Sequence, residues 1–151
     1  MINVCFFDHT VGESCLHLQF TPKYRKNVFA VEKIKDACQA LFVSTAQRLN
    51  VELVGVGFGS DHVHLFITGF KNYSIAELVQ RFKGITSKAL RSAFIEELKP
   101  FYWGSHFWSS GYFHRTVGSV NRETMRKYVV ESQSKHWLKK EKSQTSMFDF
   151  S

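Results

Sequence analysis

The order in which the hydrophobic periodicity changes along the chain restricts its fold more than any other feature. Residues 14 to 21 (Ser-Cys-Leu-His-Leu-Gln-Phe-Thr) alternate strictly, with Leu16, Leu18 and Phe20 on one face, and Pro22 closes them as a strand. The period then turns helical through Val31, Ile34, Cys38, Leu41, Phe42, Thr45 and Leu49. Residues 51 to 58 and 62 to 68 read as a strand pair joined by Gly59, Ser60 and Asp61. Ser74 with Glu77 forms a capping box that opens a second helix carrying Ile75, Leu78, Val79, Phe82, Ile85, Ala89 and Leu90. After Pro100 and Gly104 a fourth strand runs from about Gly111 to Val117, and Asn121 can cap a last helix from Arg122 to about Lys140. The order β-α-β-β-α-β-α contains two split βαβ units. It predicts an α+β fold: a ferredoxin-like four-stranded antiparallel sheet with two helices on one face and an added C-terminal helix.

A chain of 151 residues makes one domain, expected over 1–151 with 141–151 as a flexible tail. Three cysteines, Cys5, Cys15 and Cys38, lack CxxC spacing, so a disulfide scaffold and a cysteine zinc site are not expected. No apolar run reaches the roughly 18 residues of a membrane span, and the first fifteen residues lack the pattern of a secretory signal. A reducing cytoplasm is the expected compartment. The formal charge is +7, and its placement is lopsided. Residues 1 to 80 hold seven basic and seven acidic side chains, whereas 81 to 142 hold thirteen basic and five acidic. A one-sided basic surface points to a polyanionic partner, nucleic acid first.

Two positions offer chemistry. His62 and His64 are two apart in a strand, so both imidazoles fall on one face, their Cα atoms about 6.5–7 Å apart, and can converge on one metal ion. Val63, Leu65 and Ile67 face the other way, toward the helices, so the core does not require the histidines. Tyr128 lies on the last helix, outside the core pattern of Met125 and Val129. It reads either as an amphipathic packing residue or as a nucleophile whose phenol attacks phosphorus. A free phenol has a pKa near 10, and a metal that withdraws charge from the phosphate would assist the attack.

These residues carry a resemblance. The chain resembles the single-tyrosine HUH transposases of small insertion sequences, the IS200-like transposases, with the repeat-associated tyrosine transposases nearby. Asp61-His62-Val63-His64-Leu65 matches the histidine–hydrophobe–histidine motif of that family. Phe20-Thr21-Pro22-Lys23-Tyr24-Arg25 resembles the end of its first strand, and Arg81-Phe82-Lys83-Gly84-Ile85-Thr86-Ser87 its second-helix motif. Phe107-Trp108 through Tyr112-Phe113 and Thr116-Val117-Gly118 resemble its fourth strand, and Tyr128 follows at the spacing of its nucleophile. The likeness runs from about residue 14 to residue 137.

The resemblance implies a DNA transposase that cuts and rejoins single-stranded DNA at the hairpin-bearing ends of an insertion sequence. It further implies a homodimer, a divalent ion (Mg²⁺ or Mn²⁺) on His62, His64 and a polar side chain of the last helix, and a 5′-phosphotyrosine on Tyr128. The family's third ligand is usually a Gln four residues after the tyrosine. Here that position is Ser132, and Gln133 lies about 140° round the helix from Tyr128, with Glu131 about 60° away. Gln133 is the expected ligand if the helix carries a one-residue bulge. Otherwise Glu131 or Ser132 substitutes, or the chain is a weakened relative that binds DNA without cutting it.

Lys23, Arg25, Lys83, Lys88 and Arg91 are the expected phosphate contacts. Trp108, with Tyr112 and Phe113, offers rings on which unpaired bases can stack. An RRM-type RNA-binding sheet is the main non-enzymatic alternative, but no stretch matches its RNP1 pattern. A zinc hydrolase would suit two imidazoles, yet no second ligand cluster accompanies them. A replication nuclease or relaxase shares the motif chemistry, but this chain lacks any helicase or long accessory region.

Overall fold

The computed structural model describes residues 3–6, 14–101, 104–117, 127, 130 and 131. Of the last expected helix only 127, 130 and 131 are among them, as helix; Tyr128, Gln133 and the tail 141–151 lie outside. The described strands are β1 (Asn3–Phe6), β2 (Cys15–Phe20), β3 (Glu52–Gly59), β4 (His62–Thr68) and β5 (Phe113–Val117). The helices are α1 (Glu32–Leu49), α2 (Ile75–Ala93) and the single turn α3 (Ile95–Leu98). The five strands form one sheet in the order β1-β3-β4-β2-β5, every pairing antiparallel. Without β1, the order β3-β4-β2-β5 is that of a ferredoxin-like sheet, as the periodicities predict. The four-residue β1 is an addition the sequence did not announce: it pairs along the outer edge of β3, from Asn3 opposite Phe58 to Phe6 opposite Gly55.

Alternation divides the sheet into two chemically different faces. Leu16, Leu18 and Phe20 of β2, Val56 and Phe58 of β3, and Val63, Leu65 and Ile67 of β4 are buried in the hydrophobic core. Ile34, Cys38 and Phe42 of α1 and Leu78, Phe82 and Leu90 of α2 belong to the same cluster. The capping box is present, with Glu77 N–H donating to Ser74 Oγ and Ser74 N–H donating to Glu77 Oε1. Asn50 ends α1 in the left-handed region at φ 57°, which Asn tolerates better than most residues.

The core is aromatic at its centre. Phe42 lies 6.3 Å from Phe20, 6.0 Å from Phe82 and 6.3 Å from Trp108, ring centre to ring centre. Trp108 is also packed against Phe29 and Phe107, and only 6% of it is exposed. Its indole N–H donates to Thr86 Oγ1 at 2.9 Å, and that hydroxyl donates to the Phe82 carbonyl at 2.7 Å. This chain of bonds buries a threonine on α2 that helical hydrophobic spacing does not select. Cys15 and Cys38 are buried free thiols; burial pushes Cys15 up to about 12 and Cys38 well above its ordinary value. Neither thiol is primed for chemistry at neutral pH. Truncating Phe42 to Ala should remove the shared partner of three rings and destabilise the domain by about 3–5 kcal/mol, read as a lower urea midpoint.

Candidate active site

The sheet face turned away from α1 and α2 carries the histidines. His62 and His64 are 0% and 1% exposed, with ring centres 5.1 Å apart and planes at 82°. The two rings thus lie side by side, and both are removed from solvent. A third imidazole joins them. His17 of β2 places its Nε2 2.7 Å from His64 Nδ1, and burial, with the nearby Arg115 charge, holds its imidazole down at about 3. It is therefore neutral at physiological pH. His17 stacks on Phe66 at 4.5 Å and meets the edge of Phe113 at 5.5 Å.

The turn between β3 and β4 supplies the partner of His62. Asp61 is 5% exposed, and its Oδ1 lies 3.0 Å from His62 Nδ1 while Oδ2 accepts from Arg25 at 3.0 Å. One carboxylate thus bridges a guanidinium and an imidazole. Ser60 fastens the same turn: its carbonyl accepts from Phe29 N–H, and its hydroxyl donates to Asn27 Oδ1. Arg25 reaches Asp61 because Tyr24 and Arg25 both adopt left-handed backbone, φ 60° and 53°. Such geometry costs about 1–3 kcal/mol per residue. Arg25 N–H bonded to Pro22 O, and Lys23 N–H bonded to Phe107 O, help hold the turn. The strained turn sends Arg25 inward and leaves Tyr24 62% exposed.

Room for the rings comes from glycine. In the β3–β4 register Gly57 lies opposite His64 and Gly59 opposite His62. A Cβ at Gly59 would overlap the Nδ1, Cε1 and Nε2 atoms of His62, so the imidazole occupies the space a side chain would need. Gln19, 2% exposed and opposite His64 in β2, adds a further buried polar group to this face.

The donor set fits a divalent ion in part. Two imidazoles can each offer a nitrogen lone pair, and each has its Nδ1 engaged by a neighbour, the arrangement that orients metal-binding histidines. Among the described residues no group of three or more His, Cys, Asp or Glu side chains is assembled to hold a metal. The third ligand expected from the last helix, Gln133 or its alternative Ser132, lies outside the described residues. Glu131 is described as helical and exposed.

The basic and aromatic residues fall into different environments. Arg25 is bound to Asp61 with its side chain 15% exposed, which ties it to the turn that carries His62. Trp108 is packed among phenylalanines of the core and also lines the groove described next. Lys88 is exposed, and Arg91 Nε donates to Ser87 Oγ at 3.3 Å. A groove of about 730 Å³ is lined by Lys23, Tyr24, Lys83, Ser87, His106 and Ser109, among others. In its wall Lys83 donates to the carbonyls of Ser109 and Gly111 at 2.7 and 2.8 Å, and burial pulls its ammonium down to about 8.

His17, Asp61 and Gly59 are contributors that motif spacing alone passes over. The signals existed: His17 shares the period-two face with Gln19, and Val-Gly-Val-Gly-Phe-Gly places small residues on alternate positions of β3. Gly59→Ala should displace the His62 ring, read as a shift of its imidazole resonances in ¹H–¹⁵N spectra, while far-UV circular dichroism stays near that of the parent.

Residues 10–133 match the family model described as "Transposase IS200 like". The chain is 27% identical over 119 residues to the ISDra2 transposase TnpA of Deinococcus radiodurans, covering 79% of this chain and 84% of that one. It is 29% identical over 134 residues to the transposase for insertion sequence element IS200 of Salmonella typhimurium, covering 89% and 83%. A crystallised Deinococcus radiodurans protein assigned as a transposase superposes with a TM-score of 0.63 at 26% identity, over 83% of this chain and 95% of that one. The REP-associated tyrosine transposase solved with a REP hairpin shares the fold, at a TM-score of 0.53 and 11% identity, over 82% and 67%. With most of its length matched by one family model and the same fold in two solved transposase structures, the chain belongs to the IS200-like transposase family.

Proposed function

We propose that the protein is a metal-dependent transposase that cuts and rejoins single-stranded DNA, with Tyr128 as nucleophile. The observation that carries this reading is the buried pair His62 and His64, each with its Nδ1 held by a separate partner. A pair built this way and hidden from water is costly to retain as mere surface polarity. His62 and His64 would hold Mg²⁺ or Mn²⁺ with a third side chain from the last helix, for which Gln133 is the choice. When bound, the ion would supply Lewis-acid withdrawal of charge from the scissile phosphate. Manganese suits two imidazoles better than magnesium does.

The covalent step balances without an outside energy source. The Tyr128 oxygen forms a bond to phosphorus, the phenolic proton is lost to solvent or a base, and the P–O3′ bond breaks. The products are a 5′-phosphotyrosine and a free 3′-hydroxyl. Attack by another 3′-hydroxyl on the phosphotyrosine reverses the exchange and joins new strands. Because one phosphoester replaces another, no nucleotide triphosphate is needed. The family resemblance extends the proposal to a homodimer and to hairpin-bearing DNA ends, and the solved REP-associated relative is itself bound to a REP hairpin.

The groove lined by Lys23, Tyr24, Lys83 and Ser87 suits a single strand. Tyr24 projects an exposed ring, Lys23 Nζ lies 5.4 Å from its centre, and Lys83 lines the wall. An aromatic face with cations beside it is how base-unspecific strands are held. Lys88 supplies an exposed charge on α2.

Two outcomes follow. Tyr128→Phe should abolish the covalent adduct between protein and labelled single-stranded DNA on a denaturing gel while leaving DNA binding intact; an adduct that persists would refute the nucleophile. Tight DNA binding with no adduct even in the parent protein would instead favour the weakened relative that position 132 suggests. Separately, Tyr24→Ala should lower single-strand affinity by about 1–3 kcal/mol without altering the salt slope. Lys88→Ala should flatten that slope by about 0.7, both read from fluorescence anisotropy across a salt series.

A further inference from the structure

We infer that His17 is a positioning residue for the histidine pair: its Nε2 accepts the hydrogen bond that fixes His64 in the Nδ1–H tautomer and so assigns His64 Nε2 as the ligating nitrogen. The inference rests on the metal-dependent reading of that pair and extends it to a residue outside the motif.

The geometry begins with strand register. In the β2–β4 ladder His17 lies opposite Phe66, and His64 lies two residues from Phe66 on the same face. Diagonal neighbours across a sheet are within reach of a ring side chain, and here the reach ends in a 2.7 Å nitrogen–nitrogen contact. A neutral imidazole has one donor and one acceptor nitrogen. A contact that short therefore contains one proton, carried by one ring and accepted by the other. A metal takes the unprotonated nitrogen, so ligation through His64 Nε2 requires the proton on Nδ1 and leaves His17 Nε2 as its acceptor.

The contact is dry, because His17 and His64 are 4% and 1% exposed. Water is thus poorly placed to replace His17 as the acceptor. The His17 ring is itself clamped, stacked on Phe66 at 22° and edge-on to Phe113 at 74°. Two aromatic neighbours fix the plane of the acceptor, and the acceptor fixes the plane of His64. His62 obtains the same service from a different group, the Asp61 carboxylate held by Arg25. One histidine is therefore supported by an anion and the other by a neutral ring. That inequality keeps the total charge beside the cation lower than two carboxylates would.

The test uses the full chain labelled with ¹⁵N-histidine. Long-range ¹H–¹⁵N correlation of the metal-free protein should show His64 as the Nδ1–H tautomer. His17→Phe preserves the aromatic packing but removes the acceptor, and His17→Gln restores an acceptor oxygen. The first should lose the tautomer preference and bind Mn²⁺ about 10–100-fold more weakly, and the second should recover most of both. Circular dichroism and thermal midpoints separate these effects from unfolding. An Nε2–H tautomer in the parent protein, or parent-like Mn²⁺ affinity in a folded His17→Phe, would overturn the inference. Should His17→Phe not fold, the parent spectrum and the His17→Gln titration decide the matter. Failure of the underlying metal reading looks different: the parent itself would bind Mn²⁺ no better than His64→Ala, which removes the purpose assigned to His17.

Discussion

A strand sends successive side chains to opposite faces, and in β2 and β4 that alternation separates stability from chemistry. Leu16, Leu18 and Phe20 with Val63, Leu65 and Ile67 supply the sheet's contribution to the core under α1 and α2. The residues between them are released from that duty. His17, Gln19, His62 and His64 occupy freed positions together with the apolar Phe66, all of them buried. A register slip of one residue would exchange the two sets and destroy both at once. The five-residue ladder between β2 and β4, from Leu16–Ile67 to Phe20–Val63, is therefore what the site and the core share.

The surroundings of the histidines are built from backbone as much as from side chains. Gly59 makes space for His62, a left-handed turn delivers Arg25 to Asp61, and Ser60 ties the hairpin to residues 27 and 29. Such features hold rings in place before any ligand arrives, which is the contribution a protein makes to phosphoryl transfer when the chemistry itself is simple. The positive charge is divided in the same way. Arg25 and Lys83 are tied into the structure, whereas Lys88 is exposed to solvent. Formal net charge alone cannot make that distinction.

The order of elements was legible because each described helix and core strand has enough residues to display its period. The strand pair around Gly59–Asp61 and the Ser74–Glu77 capping box appear where their residues placed them. The four-residue β1 was not, since Asn-Val-Cys-Phe is too short to show alternation and its position depends on the edge of β3. Trp108 gave no sign of its burial, for a related reason. Its exposure depends on a bond to Thr86, twenty-two residues away in sequence, and on packing against rings from three other segments. Likewise, the motif identified His62 and His64, but the role of His17 arises from a contact 47 residues away in the chain. Spacing within one strand is local, whereas a diagonal contact across two strands is known only once the register is.

If the polar face of the sheet binds a divalent ion, His62 and His64 must hold it. Diffraction from crystals soaked in Mn²⁺, with anomalous differences measured on either side of the manganese edge, addresses it directly. A metal held by the pair gives one strong peak within bonding distance of Nε2 of both histidines. A map with manganese only at surface carboxylates, and none beside the pair at saturating Mn²⁺, would contradict it.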